Sequence, residues 1–183
     1  MNYIDAIRQY VPTCEQEASD QKIMLEYYRL FGDGILSRTC ALGHVTASSM
    51  IFNRERTKVL MIYHNIYDSW AWTGGHADGE GDCLATAIKE AKEETGLKNV
   101  RVISEAAAAL DILGVQPHVK RGQFVSAHVH LNLTYLLEAD ESETLHICEG
   151  ENSNVGWIPM DQIEEMVSEA HMLQVYRKLI QRI

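Results

Sequence analysis

The chain has 183 residues, is 46% hydrophobic, and carries 26 acidic against 16 basic side chains for a formal charge of −10. That length supports one full hydrophobic core. The charge argues against a nucleic-acid polymer as partner, because a phosphate backbone is held by clustered Lys and Arg, and no such run occurs.

The four cysteines, Cys14, Cys40, Cys83 and Cys148, are far apart and form no CxxC pair, so reduced thiols in a cytoplasmic protein are expected. The amino terminus lacks the basic start and apolar run of a secretion signal, and no apolar stretch approaches spanning length, so no membrane partner is expected.

Tyr3, Ile4, Ile7 and Tyr10 share one helical face, and Pro12 ends that segment because it has no amide hydrogen to continue the ladder. Thr13 followed by Gln16 reads as a capping box that opens a second helix through about Leu30, closed by Gly32 and Gly34. Residues 1–36 are thus expected to form a helical extension to a domain of residues 37–183. Its roles left open are a lid, a homodimer contact or a packing element.

From Gly43 the pattern changes. HVTASSMIFN and KVLMIYHN, separated by Arg54-Glu55-Arg56, carry a hairpin signature, and Asp68 to Thr73 reads as a short aromatic strand. Val100 to Leu113 is apolar and strand-like. From Phe124 to Leu137, apolar residues at odd positions alternate with Ser126, His128, His130, Asn132 and Thr134, so the two sets face opposite ways on a strand. A short strand around Val155 to Ile158 and a closing helical section from Gln162 to Ile183 complete the chain. Strands and helices at irregular spacing favour a mixed sheet flanked by helices over a doubly wound parallel one.

The chemistry concentrates between Gly74 and Leu97, where the chain reads GGHADGEGDCLATAIKEAKEETGL. A helix from about Asp82 to Thr95 has Asp82 as N-cap and Gly96 where a left-handed residue ends it. Leu84, Ile88, Ala91 and Thr95 form the expected core stripe; Glu90 and Glu94 form a second stripe away from it, with Glu93 beside Glu90. Three carboxylates within five residues repel one another, and a divalent cation is a physical reason to gather them. Hard oxygen donors select Mg²⁺ or Mn²⁺. A KEAKEE run alone fits a solvated helix face. The glycines in front of it, Gly74, Gly75, Gly79 and Gly81, change that reading, because bare backbone there can approach a phosphate or a metal.

This stretch resembles the signature box of Nudix hydrolases, G-x5-E-x7-R-E-U-x-E-E-x-G-U, with U a bulky aliphatic residue. Gly75 matches the first glycine, Glu90, Glu93 and Glu94 the core acids, and Gly96-Leu97 the end. The resemblance covers roughly Gly43 to Val167. It implies an α/β/α sandwich with a mixed β-sheet, here with the N-terminal helical extension, and Mg²⁺-dependent (or Mn²⁺-dependent) cleavage of a nucleoside diphosphate linked to another moiety. By the same carry-over, Glu90 and Glu94 are the main metal ligands, Glu93 a further ligand or water-activating base, and Gly75 a candidate carbonyl ligand. The chain departs from the pattern at Gly81, where the box has Glu and Glu80 stands one position early as a candidate compensating acid. It departs again at Lys89, where the box has Arg, and at Ala91, which is not bulky.

Candidates for substrate contact outside the box are His128, His130, Lys120, Arg121, Glu151 and Trp72. The alternative to an enzyme is a nucleotide-binding sensor on a weakened scaffold of the same kind, motivated by Gly81 and Lys89.

Overall fold

In the computed structural model, residues 1–120 and 122–183 are described, with Lys120 described for its backbone only. Two helices open the chain, α1 (Tyr3–Gln9) and α2 (Glu15–Phe31). Asn2 caps α1 by accepting the Ile4 N–H at 3.1 Å. The start of α2 differs from the expected capping box: its N-cap is Cys14, which makes no side-chain cap bond. Both the backbone N–H and the hydroxyl of Thr13 donate instead to Glu17, at 3.0 and 3.1 Å. A carboxylate one turn inside the helix outcompetes the amide of Gln16 because it accepts two bonds at once. Gly32, with φ of 55°, ends α2 and leads into a 3₁₀ turn, Gly32–Leu36.

The sheet begins with β1 (Gly43–Phe52) and β2 (Lys58–His64), antiparallel neighbours joined by the turn at residues 53–57. The aromatic stretch divides at Trp72 into β3 (Ser69–Ala71), which pairs with β2, and β4 (Thr73–His76), which pairs with β1. After α3 (Cys83–Thr95) come β5 (Arg101–Val102) and β6 (Ala109–Val115), both antiparallel to a later strand.

The long strand expected from Phe124 is broken. β7 (His118–Lys120) and β8 (Gln123–Val125) form a separate ribbon, and only β9 (His128–Glu138) enters the main sheet. With β10 (Asn152–Pro159), the order is β10-β2-β1-β9-β5, and β6 lies along β9. β1 and β9 run parallel while the other pairs are antiparallel, which makes the mixed sheet anticipated from the sequence. The closing section is likewise interrupted: a 3₁₀ turn (Met160–Gln162) and α4 (Ile163–Met166) precede α5 (Ala170–Ile180), because Val167 takes an extended conformation.

Helices cover both faces, giving the α/β/α layering. Residues of α1, α2 and α3 pack on Val45, Ala47, Leu131, Leu133 and Tyr135. On the opposite face Met50, Phe52, Met61 and Leu136 meet Ile163, Met172, Tyr176 and Leu179 of α4 and α5. The polar side of β9 is therefore not solvated. Asn132 and Thr134 are buried, and the Asn132 carbonyl accepts hydroxyls from Thr46 and Ser48 at 2.9 Å each. Among the described residues, no helix is long and apolar enough to cross a membrane.

The N-terminal helices are pinned electrostatically as well as by packing. Glu17 is 0% exposed, and its carboxylate lies 3.2 Å from the Lys178 ammonium and 2.8 Å from Arg182. Lys178 also reaches Asp111 at 2.6 Å, so one network joins α2, β6 and the chain end. Burial alone raises the Glu17 carboxyl, but the Thr13 backbone N–H, Tyr10, Lys178 and Arg182 outweigh it and pull the pKa to about 2. A carboxyl depressed from 4.5 stabilises the fold above that value, and the contribution is lost as pH falls toward about 2. Glu17→Gln is expected to lower stability by about 3 kcal/mol, since it strands buried cations. It should also flatten the acid limb of the stability profile; denaturant titrations between pH 2 and 7 check both.

Candidate functional site

The site is built where β4 meets α3. Asp82 caps α3 by accepting the N–H groups of Leu84 and Ala85 at 3.1 and 3.2 Å, and Gly96, with φ of 78°, closes it in the left-handed region. Its buried residues are Cys83, Thr86, Ala87, Ala91, Glu94 and Thr95. The expected stripe through Leu84 and Ile88 is displaced, and both side chains are half-buried. Small residues take the centre because α3 lies directly on β1 and β4.

The glycines of β4 allow close contact on both sides, Gly75 with α3 and Gly74 with β1. A Cβ on Gly74 would lie 2.8 Å from the Ala47 carbonyl oxygen, and one on Gly75 would lie 2.5 Å from the Glu90 carboxyl carbon. The backbone of β1 therefore requires glycine at Gly74, while at Gly75 the obstacle is the end of the flexible Glu90 side chain.

This contact relocates Glu94. The sequence places it on an outer stripe, whereas in the structure it is 4% exposed and accepts the Gly74 N–H at 2.9 Å. Burial pushes its carboxyl up to about 8 against the lowering effect of that bond, with Glu90, Glu151 and Glu93 adding to the rise. Glu90 sits beside it, mostly buried, its carboxyl also raised chiefly by burial. Glu93 is half-exposed. Lys89, at the position of the box arginine, lies 3.3 Å from Glu90 and 3.1 Å from Glu93 and bridges the two.

Glu151 comes from the loop before β10 and acts on both Glu90 and Glu94 through space. That loop is tied to α3 by the Asn152 side-chain amide, which donates to the Glu94 carbonyl at 2.9 Å. Glu90, Glu93, Glu94, Gly75 and Glu151 are thus brought together.

Other candidates go elsewhere. Glu80 accepts the Asp82 N–H at 2.8 Å and braces the entry to α3. Next to it, the Gly81 carbonyl accepts the Tyr3 N–H at 2.7 Å, so α1 docks at the position where the box has Glu. Trp72 packs edge-on against Tyr176 at 5.5 Å and donates its backbone N–H to the Tyr176 hydroxyl at 3.3 Å, facing α5. Arg121 and the side chain of Lys120 lie outside the described residues. His128 and His130 join His44 and His76 in a cluster of imidazoles.

Arg38, held by Asp78 with its Nε at 2.8 Å, is within electrostatic reach of Glu90, Glu151, His44 and His130. Sequence reasoning passed over His44, His76, Arg38 and Asp78. Only strand pairing brings these residues together, although His76 is legible as the neighbour of the box glycines.

A family model described as the NUDIX domain matches residues 43–182. A search of curated proteins finds no match. Among solved structures, the chain is similar to a C. elegans Ap4A hydrolase in a binary complex. Identity there is 17% and the TM-score 0.57, over 75% of this chain and 96% of that one. It is similar to the E. coli dihydroneopterin triphosphate pyrophosphohydrolase at 13% identity and a TM-score of 0.57, over 76% and 96%. It is also similar to the NUDIX domain of Shewanella oneidensis NrtR complexed with ADP ribose, at 16% identity and 0.55, over 79% and 91%. These likenesses concern the fold, while the family match spans the box, its acids and the sheet that carries them. The chain belongs to the NUDIX family, the hydrolases of phosphorus-containing anhydrides that its sequence resembles.

Proposed function

We propose that this chain is a Mg²⁺- or Mn²⁺-dependent pyrophosphohydrolase acting on a nucleoside diphosphate linked to another moiety. The observation that carries the reading is the buried pair Glu90 and Glu94, backed by Glu93 and Glu151. Burial raises the carboxyls of Glu90 and Glu94, the neighbouring acids add to the rise, and the Gly74 N–H donates to Glu94. Such a donor set fits a hard dication, which relieves the repulsion that the fold otherwise bears.

Glu90 and Glu94 would hold the ion, with Glu93 as a further ligand or base and the Gly75 carbonyl as a further donor. When bound, the ion supplies charge neutralisation at the diphosphate and an activated water. The chain's own residues do the positioning. The Gly74 N–H fixes one oxygen of Glu94, and the Lys89 ammonium bridges Glu90 and Glu93. Glu93, half-exposed, is the acid that solvent water reaches. Glu151, from the loop before β10, adds negative charge that acts on Glu90 and Glu94. Arg38, kept in place by Asp78 and within electrostatic reach of Glu90 and Glu151, is a basic group that would meet a substrate phosphate.

The same reading takes residues 1–36 as an extension, residues 37–183 as the catalytic domain, the substrate as a small molecule and the location as cytoplasmic. A nucleotide-binding module is the competing reading, favoured by Gly81, where α1 stands in place of the box acid.

A panel of ADP-ribose, diadenosine tetraphosphate, dihydroneopterin triphosphate and nucleoside diphosphate sugars, with each metal, separates the two. The enzyme reading expects phosphate-bond cleavage that Glu94→Gln lowers by about 100-fold or more. Tight nucleotide binding without turnover favours the module, and turnover unchanged in Glu94→Gln sinks the catalytic assignment.

Gly75→Ala should fold, because only the end of a flexible side chain blocks the new methyl. It should weaken Mn²⁺ binding about tenfold or more by displacing Glu90, as read by calorimetry. In the metal-free protein, a Glu94 carboxyl raised from 4.5 to about 8 makes the folded state bind the extra proton, so stability falls as pH rises across that window. Glu94→Gln should remove that slope and stabilise the metal-free chain at pH 8 by on the order of 3 kcal/mol. Thermal melts at pH 5 and 8, with and without Mg²⁺, measure it.

A further inference from the structure

One residue beyond the box glycines the chain turns its chemistry to the other face of the sheet. Gly75 points at Glu90, and His76 follows it on β4, so the two face opposite ways. His76 stands across from Thr46 in the β1–β4 ladder, and His44, two residues along β1, is paired with His130 of β9 in the parallel ladder. Three strands therefore deliver one imidazole each to the same spot. Ring centroids lie 5.0 Å apart for His44 and His76, 5.1 Å for His44 and His130, and 5.0 Å for His76 and His130, close to an equilateral triangle. One nitrogen from each ring lies within 4.8 Å of the others.

The hydrogen bonding of His44 sets its tautomer. Its Nδ1 is 3.2 Å from the Cys40 carbonyl oxygen, and only a protonated nitrogen bonds a carbonyl. Nε2 is left with its lone pair, buried and without a hydrogen-bond partner, in a residue 4% exposed. A buried acceptor in that state is costly unless something is meant to fill it. A histidine whose far nitrogen donates to a backbone carbonyl is also the arrangement that orients an imidazole toward a metal. His128 flanks the triangle, stacked on His44 at 4.9 Å, with its own Nδ1 2.8 Å from the Ser126 carbonyl oxygen. Burial, with neighbouring imidazoles and Arg38 adding to it, pushes His130 down to about 3, and burial lowers His44 against the raising effect of its bond to the Cys40 carbonyl.

We propose that His44, His76 and His130 form a three-imidazole site for a transition-metal dication of the zinc class, on the face of the sheet opposite the carboxylates. Neutral imidazole suits Zn²⁺, Co²⁺, Ni²⁺ and Cu²⁺ rather than Mg²⁺. A tetrahedral ion with bonds of ~2.1 Å spaces its ligand nitrogens by roughly 3.4 Å, so closing the triangle takes side-chain shifts of about 1 Å. Three histidines leave the fourth position of the tetrahedron to water or an oxygen ligand beside His128. The site uses different residues from the proposed catalytic carboxylates, so its failure leaves that reading untouched.

Chelator-treated full-length chain is titrated with ZnCl₂ by calorimetry in saturating Mg²⁺, which occupies oxygen-donor sites. One Zn²⁺ per chain is expected, weakened at least about 100-fold in His44→Gln and in His130→Gln and unchanged in Glu90→Gln. Because a histidine variant that unfolds would bind nothing, CoCl₂ is also added to the unaltered chain. Intense visible bands of a tetrahedral nitrogen site support the assignment. A weak octahedral spectrum, no zinc uptake, or uptake lost in Glu90→Gln and retained in the histidine variants overturns it.

Discussion

The contact on which the site depends is the close approach of β4 to α3, made possible by the missing side chain of Gly75 and tied by the backbone of Gly74. Gly74 gives its amide hydrogen to Glu94, and Gly75 leaves the space that the Glu90 carboxyl fills. A methyl group at Gly75 would push the Glu90 acid out of place, and one at Gly74 would collide with the backbone of β1. The same contact buries Glu94, and burial is the largest cause of its raised pKa. Packing and acid chemistry are thus one constraint here: the helix sits close enough to desolvate its own carboxylates, and that desolvation makes a cation favourable.

The sheet divides two kinds of donor chemistry. On the α3 side the groups are carboxylates, hard oxygen donors that repel one another. On the other side the groups near the ends of β1, β4 and β9 are imidazoles, with Asn132, Thr46 and Ser48 continuing the polar lining inward. Arg38 acts on both sets, and Asp78, which holds it, acts on the imidazoles. A single strand only four residues long, β4, serves both faces because successive residues point opposite ways.

The helices of residues 1–36 are part of the same folded unit as the sheet in packing terms. Tyr3, Ile7 and Met24 share a core with β1 and β9, and Glu17 meets cations from the far end of the chain. α1 also docks on Gly81, the position that departs most from the family pattern. The loss of an acid there coincides with a backbone contact to the extension, since Gly81 presents its carbonyl to Tyr3.

The sequence alone determined the limits and type of α3, its two caps, the hairpin of β1 and β2, the mixed layering and the family resemblance. These follow from local signals: an Asp before an apolar run, a glycine after it, a period of two or of 3.6. Tertiary structure decided what such signals do not contain. Glu94 reads as an outer residue on a helical wheel and is buried, because the glycine strand comes closer to the helix than a normal strand does. His128 and His130 read as a pair two apart on one strand, and only the register of β1 and β4 adds His44 and His76. Thr13 reads as a cap and serves Glu17, because a buried carboxylate held by Lys178 and Arg182 is the stronger acceptor. In each case the deciding force acts between residues distant in sequence, through burial, strand pairing or charge, and becomes effective only once the sheet has assembled.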